Sequence, residues 1–117
     1  MLDISTRNPY VYPELRNRSV NLCGHEISID ITGDKLDPTD FGQYVHHPSP
    51  TISLSPDIRG RILVSTFLHE VLEAICEFYD LDLSEQAIRV LEISLIEFAK
   101  DNTELLTELA RLFDEKI

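Results

Sequence analysis

Apolar and polar residues alternate twice in the first third of the chain, and then the period lengthens. Val20 and Leu22 alternate with polar neighbours, as do Ile27, Ile29 and Ile31. A period of two lines one face of a pleated strand, so strands are predicted over 19–23 and 26–31. Gly24 suits the turn of a hairpin, and His25 beside it reads as a turn residue without further role. A polar loop follows through 32–40. Shorter strands are predicted over 42–46 and 51–54, with Pro48 and Pro50 between them favouring short or edge pairing.

From residue 55 the spacing becomes helical. Ser55, Pro56 and Asp57 read as N-cap, first helical position and first-turn acid. The helix they start is predicted over about 56–79, with Ile58, Ile62, Phe67, Leu68, Val71, Leu72 and Ile75 as its apolar set. That set covers more than one stripe, so this helix is expected to be central and buried. Ser84 caps a second helix over 85–100, with Ile88, Leu91, Leu95 and Phe98 as its core face. Asp101, Asn102 and Thr103 break the pattern, and a last helix over 104–115 has Leu105, Leu106, Leu109, Leu112 and Phe113 for the core. Four strands followed by three helices predict an α+β fold: a small antiparallel sheet of about four short strands, then three helices. Residues 1–18, with Pro9, Pro13 and no period, are expected to form an irregular arm that packs through Tyr10, Val11 and Tyr12; 19–117 form a single domain.

With 117 residues, 43% of them apolar, the chain is expected to bury a modest core without disulfides or oligomerisation. Charge narrows the function classes further. Twenty-one acidic against 10 basic residues give a net charge of −11. Such a surface repels phosphate backbones and anionic lipid, which argues against nucleic-acid and membrane partners, and it suits a cation or a basic partner. There is no signal-peptide pattern near Met1 and no apolar run of membrane-spanning length, so a soluble, cytoplasmic protein is expected. Cys23 and Cys76 form no C-x-x-C unit, and Cys76, inside the apolar helical run, reads as a small core residue.

The chemistry concentrates at His69-Glu70-Val71-Leu72-Glu73. Residues four apart share a helix face, so the His69 imidazole and the Glu73 carboxylate can reach one point. Metal-binding H-E-x-x-H helices use this geometry, with the Glu beside the first His as general base; here the second ligand position is Glu73. A further ligand must come from the second helix, an antiparallel neighbour. Glu92 is the favoured third ligand and Glu85, seven residues before it on the same face, is the alternate. One imidazole and two carboxylates leave a position open for water, the layout of a catalytic site. Carboxylates harden the site, so Zn²⁺ is expected with Mn²⁺ or Fe²⁺ as competitors. Glu70 is the candidate catalytic base, and His46, His47 and Tyr44 are candidate oxyanion donors. The plain alternative is an i,i+4 pair on a solvated face. Leu68, Val71 and Leu72 weigh against it, because little of such a helix can face water.

Thr66, Leu68, His69, Glu70, Glu73 and Ala74, then Leu81 and Leu83, then Leu91-Glu92, Leu95 and Asp101-Asn102, match a pattern. In this stretch, about a third of the chain, the sequence resembles small phage and bacterial zincin-like proteins. The resemblance implies a minimal zincin-like fold, a metal site at His69 and Glu73, Glu70 as base, and a peptide or protein substrate. Where many such proteins have a His near the start of the second helix, this chain has Glu85. The leading expectation is thus a metal-dependent peptidase. The alternative is a non-catalytic acidic interaction protein, phage-encoded or otherwise, on the same scaffold, since a chain this short leaves little room for a deep cleft.

Overall fold

The computed structural model describes residues 15, 18–34 and 36–115; the arm expected over 1–18 lies almost wholly outside them. Four strands, β1 (Ser19–Leu22), β2 (His25–Asp30), β3 (Gly42–Val45) and β4 (Thr51–Leu54), precede three helices, α1 (Gly60–Tyr79), α2 (Glu85–Asp101) and α3 (Thr103–Phe113). The α+β order expected from the periodicities is the observed one. The β1–β2 hairpin closes through Cys23 and Gly24, both with positive φ (+54° and +78°), as a two-residue type I′ turn requires. His25 is outside that turn. It opens β2, and its ring stacks on Phe78 of α1 with centroids 4.5 Å apart.

The sheet order is β1-β2-β4-β3, and the sheet is mixed rather than antiparallel. β2 and β4 run parallel, with Ile29 opposite Ile52. β3 and β4 are antiparallel, with Tyr44 opposite Ile52. The loop after β2 carries the chain past the neighbouring position, so β3 takes the outer edge and β4 folds back into the gap. That leaves β4 flanked by strands on both sides, and all four of its residues are buried. The flanking prolines lie in the turn before β4 and leave its ladder intact.

α1 begins later than Ser55-Pro56 suggested. The Ser55 hydroxyl accepts the Asp57 N–H in a local turn instead of capping a helix. Ile58 then drops into the core, and the helix starts at Gly60 with Arg59 as an N-cap lacking a side-chain hydrogen bond. The far end matches expectation: Asp80 adopts the left-handed conformation and Leu81 N–H reaches Cys76 O at 2.9 Å. Gly42 matters to this packing. A Cβ there would stand 2.6 Å from the Thr66 methyl and 3.4 Å from Glu70 Cγ, so glycine lets α1 lie close on β3.

The core is Ile27, Ile52, Leu54, Ile58, Leu63 and Ala74 between the sheet and α1. It is smaller than the apolar pattern implied. Ile62 is half exposed, and of the apolar face expected for α2 only Ile88 is buried; Leu91, Leu95 and Phe98 are exposed. α3 buries no residue, so its leucines are not core. The reason lies in the break at Asn102, a single residue between α2 and α3, which leaves α3 with α2 as its main neighbour rather than returning it to the sheet. Cys23 and Cys76 are free thiols, both half-buried. Among the described residues no helix is long and apolar enough to cross a membrane.

Candidate metal centre

Ser65, His69 and Glu73 follow one another at single-turn spacing, so α1 presents all three on one face. α2 faces them. Its first turn is held by Ser84, whose hydroxyl accepts the Ala87 N–H at 3.1 Å. Because the helices are antiparallel, Glu85 at the start of α2 stands level with Glu73. Glu92, two turns on, stands level with Ser65 and His69.

The two nitrogens of His69 meet different surroundings. Nδ1 lies 2.9 Å from Glu92 Oε1, and the other oxygen of Glu92 accepts the Ser65 hydroxyl. Glu92 is buried between these two donors. A carboxylate in that position assigns the proton to Nδ1 and turns the lone pair to Nε2. Nε2 in turn lies 3.5 Å from Glu73 Oε1 and 3.6 Å from Glu85 Oε2. His69, Glu73 and Glu85 each offer one ligand atom, all within 4.8 Å of one another, and so form a group that could hold a metal ion.

Electrostatics fit such a group. Glu73 has its pKa raised by burial, then by a hydrogen bond to Glu85 and by the Glu85 charge. Burial pulls His69 down, but the Glu92 hydrogen bond and the charges of Glu70, Glu92 and Glu85 outweigh it, and the net shift is upward. Two carboxylates and a lone pair facing one another are short of positive charge, which a proton or a cation can supply.

Glu70, one residue after His69, packs toward β3 and still feels the charges of His69, Glu73 and Glu85. It is buried beside Gly42 and its pKa is raised to about 7. Burial is the main cause; the charge of Glu73 adds to it, while His69 and a backbone hydrogen bond with Tyr44 oppose it. An open cavity of about 440 Å³ lies here, lined by His69, Glu70 and Glu92 together with Phe41, Gly42 and Arg89.

The sequence-predicted residues therefore divide. His69 and Glu73 come together with Glu85, the alternate ligand, while Glu92, the favoured one, takes the opposite ring nitrogen. Tyr44, His46 and His47 do not line the cavity. The Tyr44 hydroxyl pairs with His46 Nδ1 at 2.7 Å, and the His46 ring sits edge-on to Phe78 and His47, more than two turns along α1 from His69. Two residues escaped the sequence reading, and both carried a spacing signal. Ser65 is one turn before His69, and Arg89 is four residues after Glu85 and three before Glu92. Comparison with protein-family models, curated proteins and solved structures returns no match.

Proposed function

We propose that this protein is a metal-dependent hydrolase of peptides, zincin-like in layout, with His69, Glu73 and Glu85 as the ligands. One observation carries the reading: three donor atoms converge within 4.8 Å, and the imidazole among them has its other nitrogen engaged by a buried carboxylate. The donor set suits Zn²⁺, with Mn²⁺ or Fe²⁺ as competitors. A cation held there acidifies water and polarises a carbonyl.

Glu70 supplies the proton chemistry. A carboxyl with a pKa of about 7 can take a proton from water near neutral pH and return it to a leaving amine. Its place against Gly42 holds it at the cavity. Arg89, also on the cavity, is the donor for a developing oxyanion, the role for which Tyr44, His46 and His47 are badly placed. Glu92 and Ser65 keep the imidazole in one tautomer and orientation. A peptide substrate is supported by β3, an edge strand of the sheet beside the cavity, to which an extended peptide can add by main-chain pairing.

Elemental analysis of the purified chain together with Glu73→Ala and Glu70→Gln tests the proposal. About one divalent ion per chain is expected, lost in Glu73→Ala. Glu70→Gln should keep the ion and lose peptide hydrolysis. Sub-stoichiometric metal that Glu73→Ala leaves unchanged rules the reading out and favours the acidic interaction protein.

A further inference from the structure

α3 is eleven residues long and buries none of its side chains. A helix of that length is marginal in water on its own, so its amphipathic face calls for a partner. Leu105, Leu109 and Leu112 form a stripe with steps of four and three residues, and Phe113 beside them is 89% exposed. A second open stripe lies on α2: Leu91, Leu95 and Phe98, again with steps of four and three. Exposed by between 41% and 89%, these seven side chains present on the order of 700 Å² of mostly apolar surface, taking roughly 200 Å² for a whole side chain. Shared between two helices, that area approaches the ~800 Å² per partner of a standard interface.

We propose that this surface joins two copies of the chain, with α3 of each copy lying on the α2 stripe of the other. Three features commit the face to a second copy. Both halves of the contact are present on one chain, so a twofold axis closes the assembly and leaves neither stripe unused. The stripes have equal length and the same four-three spacing, which is the condition for side chains of two helices to interdigitate. Arg111, the basic residue in the last turn of α3, is paired with Glu108 in the helix and Glu115 just beyond its end, so the stripe can be covered without stranding it. Because each chain carries a net charge of −11, the two copies repel at long range. Added salt therefore tightens this dimer, whereas it would loosen a complex with a basic partner.

Sedimentation of the full chain over a concentration series, at low and high salt, tests this. A two-chain mass that dissociates on dilution and strengthens with salt is expected. Leu109→Glu should raise the dissociation constant by about 100-fold or more, because it sets a charge in the middle of the contact. Leu109 is exposed in the single chain, so the variant should retain the cooperative melting of the sheet and α1. Val64→Glu, on the exposed side of α1, should leave association unchanged. As a second measure, Leu95→Cys and Leu109→Cys chains mixed together should form an inter-chain disulfide. A one-chain mass throughout the series overturns the proposal and leaves the stripes to residues 1–14 or to a different partner. A dimer that persists in Leu109→Glu overturns it as well.

Discussion

The two sides of the His69 ring are built from the same chemical groups and behave as opposites. On the Nδ1 side one carboxylate, Glu92, is buried and engaged by two donors, His69 and Ser65. On the Nε2 side two carboxylates, Glu73 and Glu85, face each other and the ring at 3.5 and 3.6 Å, and the Glu85 side chain is 71% exposed. The first arrangement is complete, since each buried acceptor has a donor. The second lacks positive charge and gains it only from a proton or a cation. A carboxylate's role here is set by its donors and by its access to water.

The largest effect should come from removing one carboxylate on each side. Glu85→Ala should weaken metal binding by more than about 100-fold, beyond the loss typical of an outer partner, while folding stability changes by less than about 1 kcal/mol because the side chain is exposed. Glu92→Ala should do the reverse. Removing it orphans two donors, which costs about 2–3 kcal/mol of stability, and loosens metal binding by about 10–100-fold. Calorimetric titration and denaturant unfolding of the two variants measure both quantities. Equal stability losses would erase the distinction between the sides.

A smaller effect sharpens the comparison through pH. In the chelated protein the pKa values of Glu70, Glu73 and His69 are all raised. The folded state then binds more protons than the unfolded state, and stability must fall as pH rises. For Glu70 the window runs from the ordinary carboxyl value of 4.5 to about 7. Its loss across that window is about 2 kcal/mol after allowing for solvent on the cavity side. Melting of chelated protein from about pH 5 to about pH 8 should show the decline, and added divalent ion should offset the part that comes from Glu73 and His69, the groups it would bind, while leaving the Glu70 part in place. The smallest effect belongs to Ser65→Ala, about 1 kcal/mol of stability with metal still bound, readable as a shift in denaturant midpoint.

The strands, the helices and the His69–Glu73 pairing were legible because each depends on neighbours in the chain. Alternation at Ile27 and Ile29 specifies a strand face, and His69 and Glu73 lie one turn apart in any helix. Ser84 reads as a cap because the N–H that it satisfies is only three residues away. Ser55 misled for the same local reason: the N–H two residues on, at Asp57, offered its hydroxyl another bond.

Tertiary structure alone decided the rest. Whether β4 sits inside the sheet depends on how far the preceding loop carries β3, and no period in 51–54 encodes that. The choice between Glu85 and Glu92 depends on the register of two antiparallel helices. Both acids share a face of α2, so only the axial offset between the helices settles which one meets Nε2. The apolar stripes of α2 and α3 have the periodicity of core, but burial requires an opposing surface, and here the sheet and α1 provide one only for Ile88. The sequence by itself determined which residues can share a face. Only the fold decided what that face meets, because burial and coordination require groups far apart in the chain to converge.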